Sequence, residues 1–392
     1  MRSIHYPHIA GLGAVSGYGW GVNALWDGLS SGKPAASLHH GFGTNDDESG
    51  WIVRVPDEDL SAGHTPQHTT TRFARAMRAV VHEAVTDAQQ RGWVPGARVG
   101  LIHACVLGDL DMYPKVAPGA GTFTGREYLT VTPSTPVSLL MSEFGFHGPA
   151  LTVSAMCTSG VAATVTARMW IDAGLADDVV VVATDLSATP EVVRMFTTLG
   201  VAITDTDPLD ACRPFQSGSR GFTFGEAAVA TVVTGRRGVD PYATIRGGSM
   251  SHDGYHVTSI DPNLPHVFGC VDNALTVAGV SGADIAYLNT HGPGTRQCDA
   301  AEAAIATSLV PDAAVFAIKP LAGHCQAAAG SVEMAASLLG FEHGQIPASP
   351  HVSTPALPQL LDGCTAAQPA LTLKTSLGMG GHTAAVVLEP GC

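Results

Sequence analysis

Short apolar runs, alternating with helical patterns, constrain this 392-residue chain more than any other feature. VGLIHACVLG (99–108), ALTVSAM (150–156), VVVVATD (179–185), AAVATVV (227–233), IAYLNT (285–290), AVFAIK (314–319) and TAAVVLE (383–389) are short for helices and too evenly apolar for strands with one wet face. They read as strands covered on both sides, in a mostly parallel α/β architecture. Helices fit 72–92, 158–174 and 328–344. In the first, Phe73, Met77, Val80, Val81 and Ala84 share one face and Gly92 ends the run.

A strand, then a Gly-rich start, then a helix recurs after Tyr242, which predicts two similar halves, 1–238 and 239–392. The junction RRGVDPYAT (236–244) is too short for a flexible linker, so the halves should share one core. The 20 Lys and Arg against 34 Asp and Glu, a net charge of −14, exclude a broad footprint on nucleic acid or on an anionic membrane. Eight scattered cysteines without a C-x-x-C motif argue against a disulfide framework or structural zinc. No basic and apolar leader opens the chain and no apolar stretch approaches the ~18 residues of a membrane span, so a cytoplasmic protein is expected. His252 and His256 stand four apart, but in a Ser/Gly/Tyr-rich loop; no metal is expected.

Four turns carry chemistry. In ALTVSAMCTSGVAATVTARMW (150–170) an apolar run ends at Met156 and a helix of small residues starts after Cys157, placing a thiol at a helix N-terminus that favours thiolate. NTHGPGTRQCDAAE (289–302) presents His291 on a Gly-rich turn, and AIKPLAGHCQAAAGSVE (317–333) presents Lys319 and His324 in the same way. TSLGMGGHTAAVV (375–387) packs Gly around Met379 and can offer backbone N–H groups to an oxyanion. A nucleophile, two imidazoles, a lysine and a donor turn are the parts of acyl transfer. Two other strings lead nowhere: Gly28–Gly32 reads as a hydrolase elbow but ends a helical segment, and Gly11-Leu12-Gly13 lacks the rest of a dinucleotide fingerprint.

In this order the four turns resemble the elongating β-ketoacyl-(acyl carrier protein) synthases of the thiolase superfamily, SAMCTSGV being closest to the type II subgroup. CRPFQSGSRGFTFGEAAVA (212–230), YHVTS (255–259) and IAGLGAVSGYGWGVNALWDGLSSGK (9–33) extend the resemblance over nearly the whole chain. It implies a thiolase-like fold, two βαβ-type halves in a five-layer α-β-α-β-α sandwich, working as a homodimer with strands paired across the interface. It implies that Cys157 takes an acyl group from a phosphopantetheine thioester on an acyl carrier protein, with no bound cofactor. His291 and His324 would hold the malonyl carbonyl during decarboxylation, and Lys319 and Glu333 would orient the His324 region. The backbone N–H groups of Cys157 and Met379 would form the oxyanion hole, with Leu377, Gly378 and Gly380 completing the gate. Pro293, Thr295, Thr258 and Ser259 would line the pantetheine channel, and Arg213, with Arg72 and Arg75, would meet the carrier or its phosphate.

The chain departs from the family pattern at instructive places. Pro293 replaces a hydroxyl residue, Cys298 and Cys325 add thiols beside the site, and both aromatic gate positions are aliphatic, Leu377 and Met379. These changes point to a stand-alone enzyme of specialised metabolism, for which the resemblance implies decarboxylative Claisen condensation. The alternative is a repurposed ketosynthase that cyclises or transfers its acyl group without malonyl extension.

Overall fold

The computed structural model describes residues 6–45, 47–57, 71–113, 129 and 131–391. The strands, in chain order, are β1 (His8–Ser16), β2 (Gly19–Trp20), β3 (Ser37–His40), β4 (Ser49–Ile52), β5 (Val99–Ala104), β6 (Ala150–Val153), β7 (Asp178–Asp185) and β8 (Ala227–Thr234). They continue as β9 (Ala243–His252), β10 (Tyr287–Asn289), β11 (Ala314–Phe316), β12 (Gln345–Pro347), β13 (Cys364–Ala366), β14 (Thr372–Gly378) and β15 (His382–Pro390). β7 and β8 are buried along their whole length, as sequences so rich in valine and alanine require.

Two rows of strands share one topology. The order β6-β5-β7-β8-β1 is mirrored by β11-β10-β14-β15-β9, each row using its own second, third, fourth and fifth strands in the same places. Directions repeat as well: β6, β5 and β7 run parallel, as do β11, β10 and β14, and the remaining pairings are antiparallel. The sheet is therefore mixed, not mostly parallel. A strand buried on both faces carries no sequence mark of its direction. The rows meet where β1 pairs with β9 at His8↔Thr244 and Ile9↔Ala243, giving one eleven-stranded sheet.

Helices fill the remaining layers of an α-β-α-β-α stack. Arg72–Gln90 starts at Thr71, whose side chain accepts the Ala74 N–H at 3.2 Å, and buries Phe73, Met77, Val80, Val81 and Ala84 on β1, β8 and β7. Pro265–Ala278 covers β9 and β15 in the same way. Between the rows lie Ser159–Asp172 and Ala329–His343, packed on each other and on both rows. The second is buried from Ala329 to Gly340 because it meets protein on every side, so it has no polar face.

Two glycines set the outer layers' distance from the sheet. A Cβ at Gly11 would overlap the Ala84 carbonyl oxygen and stand 2.7 Å from the Ala88 Cβ; a Cβ at Gly247 would overlap the Ala274 oxygen and stand 2.7 Å from the Ala278 Cβ. The Gly11 motif therefore serves packing, not a dinucleotide. Among the described residues no helix is long and apolar enough to cross a membrane.

Candidate active site

Cys157 follows β6 on a turn that Met156 takes at φ 50°, a left-handed conformation unusual for a side chain of this size. Ser159 holds the turn: its hydroxyl accepts the Ala155 N–H at 2.9 Å and donates to the Met156 carbonyl at 2.6 Å. The helix begins two residues after the thiol, as expected. The helix terminus that favours thiolate meets an opposing effect: burial pushes the Cys157 thiol up to about 11, against the pull of the Lys319 ammonium and the Met379 backbone N–H, which donates to the sulfur.

His291 leaves β10 on a turn whose Gly292 and Gly294 have φ of 47° and 74°. The turn is pinned by Glu302, which accepts the His291 N–H at 2.6 Å, the Gly292 N–H at 2.7 Å and the Thr375 hydroxyl at 2.7 Å. His324 follows β11 and a short helix; its N–H donates to Thr223 O at 2.8 Å and its carbonyl accepts from Gly225 at 3.0 Å. The Cys157, His291 and His324 side chains, all buried, bring their ligand atoms within 4.8 Å of one another.

The partners of the two rings decide what they can do. The Lys319 ammonium donates to His291 Nδ1 at 3.0 Å, and the Gln326 backbone N–H donates to His324 Nδ1 at 3.1 Å. With Nδ1 accepting, each neutral ring carries its proton on Nε2 and offers an N–H. Burial, then the Lys319 charge, holds both imidazoles well below the ordinary histidine range, so both are neutral donors at physiological pH. Both Nε2–H groups can therefore donate to one oxyanion.

Lys319 and Glu333 form a buried ion pair, and Lys319 also donates to the His291 carbonyl. The expected support of the His324 region is therefore relocated: the hydrogen bond of Lys319 goes to His291. β10 and β11 are parallel neighbours, and a lysine following β11 reaches the residue following β10.

The thiol and both imidazoles line a cavity of about 420 Å³ together with Pro293, Thr295, Thr258, Ser259, Leu377, Gly378 and Met379. Gly378 lies against the nucleophile turn; a Cβ there would stand 3.2 Å from Ala155 O and 3.4 Å from Cys157 N. Gly380, at φ 88°, lies beyond Met379 on a second, more open cavity shared with Met156, His252 and His382.

Arg213 is not on the catalytic cavity. Its guanidinium bonds Asp210 O at 2.8 Å and Ser217 O at 3.4 Å, closing its own loop. Arg72 is likewise held elsewhere, 2.6 Å from buried Glu226, and Arg75 is not among the lining residues. The arginines that do line the cavity are Arg220 and Arg296. Cys298 also lines it, its thiol pushed up to about 12 by burial; Cys325 is buried behind it, donating to Ala322 O, and is pushed higher still. The burial that raises Cys157 thus raises both extra thiols as well.

Sequence reasoning missed Glu302 and Lys374. Glu302 has a weak signal, a second acid after Asp299 in a helix rich in alanine. Lys374 has a better one, a lone charge inside the strand TLKTSLG.

Residues 8–237 match the family described as beta-ketoacyl synthase, N-terminal domain, and residues 242–353 match beta-ketoacyl synthase, C-terminal domain. The chain belongs to the beta-ketoacyl synthase family, whose members are acyltransferases. It is 31% identical over 374 residues to the tetracenomycin polyketide synthase ketoacyl synthase alpha subunit of Streptomyces glaucescens, covering 88% of this chain and 87% of that protein. The 3-oxoacyl-[acyl-carrier-protein] synthase 2 of Coxiella burnetii is 26% identical, with 88% of each chain covered. Among solved structures, a type II polyketide ketosynthase in complex with its acyl-carrier protein superposes with a TM-score of 0.85 at 22% identity, covering 98% of this chain and 99% of that one. The ishigamide ketosynthase/chain length factor gives 0.85 at 23%, covering 99% and 100%. The fold is thiolase-like.

Proposed function

We propose that this protein is a ketosynthase that loads an acyl group from an acyl-carrier-protein thioester onto Cys157 and condenses it with a malonyl-carrier thioester, in polyketide or fatty-acid-type biosynthesis. The observation that carries the reading is the pair of imidazoles fixed as Nε2–H donors beside one thiol. In loading, Sγ attacks the thioester carbonyl, the oxyanion is held by the backbone N–H groups of Cys157 and Met379, and the pantetheine thiol leaves with the proton. In condensation the malonyl carbon–carboxyl bond breaks, carbon dioxide departs, and the electron pair moves to an enolate oxygen held by His291 and His324. The carbanion then attacks acyl-Cys157, forming the carbon–carbon bond as the carbon–sulfur bond breaks, and the departing thiolate takes a proton from solvent.

Lys319 and Glu333 support His291 in this reading, Leu377, Gly378, Met379 and Gly380 form the gate, and Pro293, Thr295, Thr258 and Ser259 line the pantetheine arm. Arg220 and Arg296, in place of Arg213, meet the arm's phosphate or the carrier's acids. The protein works in the cytoplasm with no cofactor of its own, as two halves, 1–238 and 239–392, and as a dimer. Edge strand β6, with Leu151 exposed, supplies the pairing surface. Mass measurement of the intact protein after incubation with an acyl-carrier thioester tests the reading. Wild type gains the acyl mass and Cys157→Ser gains none; equal labelling of the two would overturn it.

A further inference from the structure

Lys374 lies in the middle of β14, fully buried, and no step of the proposed reaction uses it. Its Nζ stands 2.6 Å from Glu333 Oε2, donates to Thr290 O at 3.2 Å and Asn289 O at 3.4 Å, and donates to Thr375 O. The other Glu333 oxygen accepts from Lys319. All three N–H bonds of Lys319 are accounted for, on Glu333, His291 Nδ1 and His291 O. One buried carboxylate thus bridges two ammonium groups, of which only one touches a reacting imidazole.

A second buried carboxylate, Glu302, faces the same cluster, with its oxygens on the His291 and Gly292 N–H groups and on Thr375. Two acids face two ammonium groups, all four side chains buried. Removing one member leaves a charge that its neighbours must compensate. Without Lys374, Glu333 would have a single cation to attract, and that cation is the donor behind His291.

We infer that Lys374 is a positioning residue for decarboxylation: by holding one oxygen of Glu333, it keeps that carboxylate from drawing Lys319 away from His291 Nδ1. This inference rests on the function proposed above. An ammonium behind the ring strengthens the Nε2–H donor as negative charge builds on the enolate, whereas loading of Cys157 uses the backbone donors instead. The two half-reactions should therefore separate. Burial, joined by the charge of Lys319 and opposed by Glu333 and Glu302, holds Lys374 below the ordinary lysine range. Decarboxylation should accordingly fall on the alkaline side as Lys374 loses its proton, before an ordinary lysine would.

The test compares wild type, Lys374→Met, Glu333→Gln and the double variant Glu333→Gln with Lys374→Met, using acetyl- and malonyl-N-acetylcysteamine thioesters as substrates. Acyl adduct on Cys157 and released carbon dioxide are measured separately. Lys374→Met should lower decarboxylation about tenfold or more, keep loading within about twofold, and lack the alkaline limb. On the Glu333→Gln background, adding Lys374→Met should cost decarboxylation less than about twofold, because Glu333 no longer carries the competing charge; a purely structural lysine would cost the same on either background. Parallel loss of both half-reactions on Lys374→Met, or an equal loss of decarboxylation on both backgrounds, would overturn the inference. Should Lys374→Met not fold, Glu333→Gln against the double variant decides alone: a further loss of about tenfold in decarboxylation with loading intact contradicts the inference. A wild type that neither loads nor decarboxylates overturns the underlying function, and the inference with it.

Discussion

The two rows of the sheet are alike in frame and unlike in their loops. Gly11 against Ala84 and Ala88 repeats at Gly247 against Ala274 and Ala278, and the third strand of each row leads to the helix of the central layer. Cys157 follows β6 and His324 follows β11, so nucleophile and donor occupy corresponding loops. Around them the rows part company. The first contributes a thiol on a strained turn, while the second contributes two imidazoles, two buried lysines, Glu302, Glu333 and the gate between β14 and β15. Duplication supplies the scaffold, and divergence of loop residues supplies distinct roles for the same place in the fold.

The comparison breaks most sharply if the second row's imidazoles are removed. His291→Ala and His324→Ala should each lower carbon dioxide release from a malonyl thioester by about 10²–10³-fold while Cys157 still becomes acylated. Loss of loading to the same degree would erase the division of labour. Because both rings are held neutral, decarboxylation should stay level between about pH 6 and pH 8, without the acid-side fall that a histidine titrating near its ordinary value would give.

The shared frame predicts matched effects next. Gly11→Ala and Gly247→Ala each force a methyl group against a helix carbonyl and should destabilise by about 1–3 kcal/mol, read as chemical-denaturation midpoints. A large effect in one row and none in the other would show that the repeat is topological but not energetic. A smaller expectation concerns the thiol: alkylation of Cys157 by iodoacetamide should keep accelerating above about pH 9, since its proton is held more tightly than that of an ordinary cysteine. A plateau near neutrality would mean that the helix terminus outweighs burial. Smallest is the gate, where Met379→Phe should change selectivity among acyl thioesters, in KM more than in kcat, by a few-fold.

Cys157, His291 and His324 were legible because each sits on a Gly- or small-residue-rich turn directly after an apolar run. The helix Arg72–Gln90 was legible from its apolar face. What sequence did not reveal depends on tertiary neighbours. β1 and β9 are interrupted by glycines needed for helix contact, and β14 by Lys374. The partner of Lys319 follows from the pairing of β10 with β11, and strand direction leaves no mark in a fully buried run. A helix N-terminus is visible in sequence, but the burial that raises the Cys157 thiol is not. Arg213 and Arg220 lie seven positions apart in one loop, and only folding shows which of them lines the cavity.

Product and intact-protein mass spectrometry, after mixing the protein with an acyl-carrier thioester in the presence and absence of malonyl-carrier protein, tests the central claim directly. A condensing enzyme gives an acyl adduct on Cys157 that persists alone and resolves to a β-keto product, with carbon dioxide released, only when malonyl is present. An adduct that leaves as a cyclised or transferred product without malonyl would contradict it.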